Sequence, residues 1–200
     1  MNYNRMIGFC KFLIALMGSM ILIQCSNDVR SYEDLVVKEM SSGVVVDTLF
    51  HGIYFDMPAK DFYKHCWDMN KKGLLADGFG NSTAAFKLTG MKADARFEFY
   101  PRFKDDKISA MPAFVHYNAW APWNTEFSAI QLIEDIQEIL VEWYGLKFYP
   151  IKAKSIFGKA YVGVKGNLKI VLYHNADNKV EIAYTDLRKG DDVKVVFKQD

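Results

Sequence analysis

Apolar and polar residues follow two kinds of pattern along the chain, and the two kinds occur in the same order twice. Apolar side chains at helical spacing predict a first amphipathic helix that starts near Pro58 and ends at Gly73. A second starts near Asn124 and ends at Gly145. Short β-branched and aromatic runs, separated by turn residues, follow each helix. The order predicts two units, each a helix followed by antiparallel strands.

Apolar residues that recur on one face of a strand or helix predict the individual elements. In the run 95–103, Phe97, Phe99 and Phe103 fall on one face of a strand. The strand-like runs are 83–88, 95–103 and 108–117 after the first helix, and 147–151, 159–164, 168–174 and 179–185 after the second. Asp56 is expected to cap the first helix. The expected apolar stripe of the second helix comprises Ala129, Leu132, Ile133, Ile136, Leu140 and Trp143.

The order of elements predicts an α+β fold, in which the two units pack as one domain with the helices on one face of the sheet. This domain is expected to cover residues 44–200, with halves at about 44–120 and 121–200. Residues 25–43 are mixed and polar, and we interpret them as a tether that contains one short ordered piece. The sequence thus predicts a single domain that follows an N-terminal tether.

The N-terminus has the pattern of an export signal. Arg5 and Lys11 form a short basic region, and the run from Phe12 to Ile23 carries no charge. A membrane-spanning helix needs about 20 apolar residues, so this run is too short to serve as one. Residues 1–24 are therefore predicted to be a signal peptide.

Cys25 ends this run in the segment Leu22-Ile23-Gln24-Cys25, which resembles the lipobox of bacterial lipoprotein precursors. The resemblance implies that the signal is cut before Cys25 and that Cys25 carries acyl chains such as palmitate. Gln24 departs from the small residue usual in the family at that position. Acyl chains contribute about 0.8 kcal/mol per buried methylene, so the protein would be anchored to a membrane of the cell envelope. Ser26 in place of an aspartate favours the outer membrane over the inner one.

Charge and cysteine content narrow the functional classes. Removal of residues 1–24 leaves 23 of the 25 basic side chains against 24 acidic ones, a balance that predicts no nucleic-acid partner. Cys10 leaves with the signal and Cys25 would be lipidated, so Cys66 would be the remaining free thiol of the mature chain. Stability must therefore come from an apolar core.

The segment from Gly52 to Phe62 reads GIYFDMPAKDF, enters a helix and precedes three strands. It resembles small periplasmic lipoprotein domains of the β-lactamase-inhibitor-like class, in which a Gly-Met-Thr-like phrase opens the first helix. Asp56-Met57-Pro58 stands in that place here. The resemblance implies a protein-binding or scaffolding module without catalysis.

Candidate catalytic and metal-binding side chains are dispersed. His51, His65, His116 and His174 lack a second ligand at metal spacing, so no metal site and no cofactor are predicted. Cys66 shares the apolar stripe of the first helix, so we expect a core cysteine; a hydrolase that uses Cys66 or a histidine is the least favoured class.

One segment has binding character, and one helix face is acidic. Tyr117, Trp120 and Trp123 lie between a strand and the second helix, where exposed rings would stack on sugars or anchor a protein. The alternative, which we favour, is that Trp120 and Trp123 fold back over the start of the helix. Glu134, Glu138 and Glu142 form an acidic face that is either solvated or a docking face for a basic partner. The leading hypothesis is a non-enzymatic envelope lipoprotein that binds a protein; the runner-up is a glycan-binding or glycan-processing accessory.

Overall fold

The computed structural model describes residues 31–153, 156, 158–176, 178–190 and 195–197. The expected signal peptide at residues 1–24 and the expected lipidation site at Cys25 lie outside these ranges. The helices in the described part are α1 (Tyr32–Ser41), α2 (Ala59–Lys71) and α3 (Ala129–Tyr144). The strands are β1 (Ala76–Asp77), β2 (Ala84–Leu88), β3 (Ala95–Phe99), β4 (Arg102–Lys104), β5 (Lys107–Tyr117), β6 (Phe148–Ala153), β7 (Ala160–Lys165), β8 (Leu168–Ala176), β9 (Lys179–Asp186) and β10 (Val195–Phe197).

The strands form one large antiparallel sheet in the order β1-β2-β3-β5-β9-β8-β7-β6-β10, with β4 beside β5 off this path. Strands β2, β3 and β5 belong to the first predicted unit and β6 to β9 to the second. The units join edge to edge through β5 and β9, where Ala110 lies opposite Thr185 and Val115 lies opposite Val180. The turn Lys104-Asp105-Asp106-Lys107 joins β4 to β5, and both of its aspartates have positive φ.

The first face of the sheet carries the larger core. Alternate residues of β9, namely Val180, Ile182 and Tyr184, are buried there and belong to the same apolar cluster as Leu132 and Ile136 of α3. Helix α2 adds Phe62, whose ring centroid lies 6.5 Å from that of Phe99 on β3. Helices α2 and α3 therefore cover this face, as their amphipathic patterns require.

The second face carries a smaller core under helix α1. Tyr32 and Leu35 of α1 are buried in one cluster with Val162 and Val164 of β7 and Val171 of β8. The hydroxyl oxygen of Ser31 caps this helix by accepting a 3.0 Å hydrogen bond from the backbone N–H of Asp34. Helix α1 lies in the range that we interpreted as a tether, and it is packed against the sheet.

The predicted α+β arrangement with all helices on one face is therefore wrong. The structure is mostly a large antiparallel sheet, with α1 packed on the face opposite to that of α3. The physical reason lies in β8, where Ile170 and Leu172 join the larger core while Val171 joins the smaller one. A strand that is apolar at consecutive positions has to be covered on both faces.

The ends of the helices agree only in part with expectation. Gly145 ends α3 in the left-handed conformation with φ of 62°, which glycine adopts without strain. Asp56 does not cap α2, because Pro58 is the N-cap residue, and the Asp56 carboxylate instead pairs with Lys189. Trp143 is 40% exposed, and its neighbour Tyr144 is buried in its place.

None of the helices in the described residues is both long enough and apolar enough to cross a membrane.

Candidate functional site: a groove on the open part of the sheet

Helix α1 covers only part of the second sheet face. It contacts β7 and β10, whereas the side chains of β5 and β9 on that face remain half-buried. These half-buried residues include Pro112 and Phe114 of β5 and Ala183 and Thr185 of β9. The two predicted units meet at this pair of strands, so the open area is formed by both.

Two adjoining cavities lie on this open area. The larger has a volume of about 410 Å³ and runs from Lys104 past Thr185 to Gly190. The smaller, of about 320 Å³, runs towards Thr83. Both are lined by Arg102, Pro112 and Glu181, so they adjoin at these residues, and the two together are here called the sheet groove.

Most charged groups of the sheet groove are already paired. Glu181 pairs with Lys179 at 2.6 Å, and Lys189 pairs with Asp56. Asp186 is fully buried and pairs with Arg188 at 2.6 Å. Burial alone would raise the pKa of Asp186, but hydrogen bonds from Arg188 and Asn167 lower it, so this carboxylate stays ionised.

Arg102 and Lys104 differ from these paired groups. Both side chains are exposed on β4, and the ion pairs among the described residues include neither of them. Arg102 nevertheless lies close enough to Tyr173 to influence its hydroxyl. Burial and the charge of Glu181 raise the pKa of Tyr173, and the positive charges of Lys179 and Arg102 oppose that rise. Among the described residues, the groove thus has two cations without an acidic partner at the β4 end.

A buried carboxylate supports the other end of the groove. Glu98 of β3 is 3% exposed, and its Oε2 accepts hydrogen bonds from the Phe79 backbone N–H at 2.7 Å and from the Thr83 hydroxyl at 2.8 Å. Its Oε1 lies 3.4 Å from both Arg96 Nε and His116 Nε2. Burial alone would raise the pKa of Glu98, but these partners together lower it. The Glu98 carboxylate is therefore charged, and the hydrogen bonds that it accepts hold the loop after β1.

The three aromatic residues predicted to bind are separated by the fold. Tyr117 is 1% exposed, and its hydroxyl donates a 2.5 Å hydrogen bond to Asp135 on α3. Burial, followed by the nearby Asp135, raises the pKa of Tyr117. Trp120 is half-buried, whereas Trp123 is 85% exposed and does not fold back over the helix. Phe127 packs there instead, with its ring 5.2 Å from that of Tyr117.

The acidic face of α3 has partners at its N-terminal half. Glu134 pairs with Lys159 at 2.9 Å, and Asp135 pairs with Lys92 at 3.1 Å. Further along, Glu138 and Glu142 line a separate cavity of about 540 Å³. Part of this face is therefore tied to the sheet rather than left to a partner.

The histidines and Cys66 serve separate local contacts. The ring of His65 lies with Nε2 2.7 Å from the backbone oxygen of His51, and His174 accepts a 3.2 Å hydrogen bond from the backbone N–H of Lys159. Cys66 is half-buried against the larger core, and burial raises the pKa of its thiol to about 11. Within the described ranges, no group of three or more His, Cys, Asp and Glu residues is placed to hold a metal ion.

The sequence alone does not single out the groove residues Arg102, Lys104, Tyr173 and Glu181. They lie on three different strands, β4, β8 and β9, and Arg102 and Tyr173 come together only because β5 pairs with β9. A partial signal exists in β5, where Ala110, Pro112, Phe114 and His116 alternate with the core residues Met111, Ala113 and Val115. That alternation predicts a strand with one less buried face, but not which residues lie beside it.

Comparison with known proteins finds no family model that matches this chain, and no curated protein or solved structure that matches it.

Proposed function

We propose that this protein is a lipoprotein of the bacterial envelope, anchored through Cys25, whose sheet groove binds a segment of another protein. The observation that carries the binding role is the groove itself, two adjoining concave surfaces with volumes of about 410 Å³ and 320 Å³. It lies across β4, β5, β8 and β9, and strands provide a rigid support for binding side chains. An outer-membrane location remains part of the proposal, on the basis of Ser26.

The anchor and the fold together limit the position of the domain. Helix α1 begins at Tyr32 and is packed on the sheet, so only the six residues 26–31 separate the lipidated Cys25 of the proposal from the folded domain. At no more than about 3.6 Å per residue, this connection spans at most about 22 Å. A domain anchored in this way stays close to the membrane surface, and its partner would have to be reachable from there.

The anchor is tested by Cys25→Ala, with Cys66→Ala as the matched control. Cells that express each variant are labelled with a radioactive or clickable palmitate. We expect Cys25→Ala to abolish labelling and to leave unprocessed precursor, whereas Cys66→Ala keeps both lipid and processing. Labelling of the Cys25→Ala variant at the wild-type level would contradict the proposal.

The binding role is tested by photocrosslinking in intact cells. p-Benzoylphenylalanine is placed at the position of Thr185, which is half-buried and lines the groove, or at that of Lys72, which is exposed at the end of α2. We expect a discrete protein adduct from position 185 and none of the same mass from position 72. Absence of a protein adduct at position 185, with full-length protein present, would contradict a groove-bound partner.

A glycan-binding role is the second candidate, and one observation favours it. Trp123 is 85% exposed beside half-buried Trp120, and an indole ring in the open is suited to stacking on a sugar. The test is retention on a glycan array for the wild type, Trp123→Ala and Trp67→Ala. Trp67 is 61% exposed on α2 and serves as the matched control. Retention that only Trp123→Ala removes would favour the glycan role over the protein role.

A further inference from the structure

The charge distribution of the sheet groove gives the chemistry of its ligand. Its acidic groups Glu181 and Asp186 already have basic partners, Lys179 and Arg188. Arg102 and Lys104, by contrast, have no acidic partner among the described ion pairs and stand together on β4. A groove whose unpaired charges are all positive at one end favours a negative group at that end.

We propose that the sheet groove takes an extended protein segment that carries a carboxylate side chain, and that Arg102 and Lys104 bind this carboxylate. The proposal rests on the protein-binding function proposed above and names the chemistry of the partner. A guanidinium group presents a planar fork of N–H donors that fits the two oxygens of a carboxylate, and Lys104 adds a second positive charge.

The floor of the groove fits the rest of such a segment. Pro112 of β5 lies directly opposite Ala183 of β9, and Ala110 lies opposite Thr185. These small side chains leave a shallow, largely apolar strip along which an extended backbone can lie. Tyr173 stands beside the strip with its ring half-buried and offers an apolar face with a polar end.

The acidic groups of the groove favour a single carboxylate over a polyanion. Glu181 lines both cavities, and Asp186 lines the larger one although its side chain has no exposed surface. A phosphate-rich surface, such as that of an anionic membrane, would bring several negative charges close to these groups. One carboxylate at the β4 end satisfies Arg102 and Lys104 and avoids that repulsion.

The test extends the photocrosslinking experiment at the position of Thr185. The adduct is compared in the otherwise wild-type chain, in the double variant Arg102→Gln with Lys104→Gln, and in Lys72→Gln as a control that removes one positive charge outside the groove. The crosslinked peptide of the partner is then sequenced by mass spectrometry. Because Arg102, Lys104 and Lys72 are exposed, all variants are expected to fold, which circular dichroism and thermal melting check.

We expect the double variant to lower the adduct yield about tenfold and Lys72→Gln to leave it unchanged. The partner peptide is expected to contain Asp or Glu within a few residues of the crosslink. An unchanged yield in the double variant, or a partner segment without an acidic residue, would overturn the inference while the protein-binding function stands. Failure to capture any protein from position 185, or capture of lipid or glycan alone, would overturn both.

Discussion

The carboxylate of Glu98 accepts a 2.7 Å hydrogen bond from the backbone N–H of Phe79, which joins the middle of β3 to the loop after β1. The same oxygen also accepts a hydrogen bond from the hydroxyl of Thr83. As a result, Phe79 is held on a fixed loop although its ring is 80% exposed. One buried charge therefore helps to hold the loop, together with backbone hydrogen bonds such as that from the Gly78 N–H to the Thr83 oxygen.

Replacement of Glu98 by glutamine is expected to destabilise the protein. Hydrogen bonds to a charged acceptor contribute about 1.5–3 kcal/mol, and a glutamine oxygen retains only part of this. We expect Glu98→Gln to lower the free energy of unfolding by about 1–2 kcal/mol in urea denaturation. The control is Glu138→Gln, an exposed site on α3 that should change stability by less than about 0.5 kcal/mol. Equal effects of the two substitutions would show that the Glu98 bonds contribute nothing.

The same carboxylate gives stability a dependence on acid pH. Because the pKa of Glu98 is lowered in the folded state, its contribution is fully present above the pKa of an unfolded glutamate, about 4.3. It is lost as the pH falls through the lower folded value. We expect the melting temperature of the wild type to fall more steeply below about pH 4 than that of Glu98→Gln, which cannot take up this proton. If the melting temperatures of the two proteins fell in parallel from pH 7 to pH 2.5, this assignment would be refuted. Asp186, whose folded pKa is also lowered, contributes equally to the pH dependence of both proteins.

Gly78 is required by the close approach of this loop to Glu98. A Cβ atom at position 78 would lie 1.9 Å from Thr83 Oγ1 and 2.6 Å from Glu98 Oε2, distances at which the loop or β3 must move. We expect Gly78→Ala to lower the free energy of unfolding by more than about 2 kcal/mol, as expected when a buried polar network is broken. Gly73→Ala is the control, because position 73 has positive φ but nothing within 4 Å of an added Cβ. The strain of an alanine at the positive φ of position 73 alone costs about 1–2 kcal/mol. A smaller decrease in the free energy of unfolding for Gly78→Ala than for Gly73→Ala would therefore contradict the steric argument.

Local sequence patterns predict most helices and strands of this fold, whereas contacts between residues far apart in the chain determine how these elements pack. Gly73 and Gly145 mark the ends of two helices because the left-handed conformation after a helix favours glycine, whatever the surroundings. Helix α1 was interpreted as part of a tether because its few buried residues, chiefly Tyr32 and Leu35, gain their burial from β7 and β8 more than a hundred positions later. The consecutive apolar residues of β8 required a cover, but no local pattern identified the segment that supplies it.

The candidate site was less accessible to sequence reasoning, for the same reason. Arg102 and Tyr173 belong to different predicted units, and only the pairing of β5 with β9 brings them to one groove. The aromatic composition of the segment from Tyr117 to Trp123 is visible in the sequence. Its rings nevertheless differ in burial, since Tyr117 faces the core and Trp123 faces solvent. Residue type indicates which side chains are able to bind, whereas strand pairing and burial determine which ones are available.

Cys66 is expected to react slowly with alkylating reagents in the folded protein. Burial raises the pKa of its thiol to about 11, so at pH 8 the reactive thiolate is about a hundredfold rarer than for a thiol of pKa 9. We expect iodoacetamide to modify the peptide that contains Cys66 at least about a hundredfold more slowly in buffer than in urea, as followed by mass spectrometry. Modification in buffer within about tenfold of the urea rate would contradict this effect of burial, and modification faster in buffer than in urea would point to an activated thiol and revive the hydrolase hypothesis.

Helix α1 is expected to be an integral part of the domain, which is a requirement for the short membrane connection proposed above. Leu35 is 3% exposed between α1 and the sheet, and truncation of a buried leucine to alanine costs about 2–5 kcal/mol. We expect Leu35→Ala to lower the free energy of unfolding by at least about 2 kcal/mol. Val37→Ala, on the same helix but 67% exposed, should change it by less than about 0.5 kcal/mol. If Leu35→Ala were as mild as Val37→Ala, α1 would contribute little to stability and could detach from the sheet. The connection from Cys25 would then lengthen to Gly43, and the domain would no longer be confined to the membrane surface.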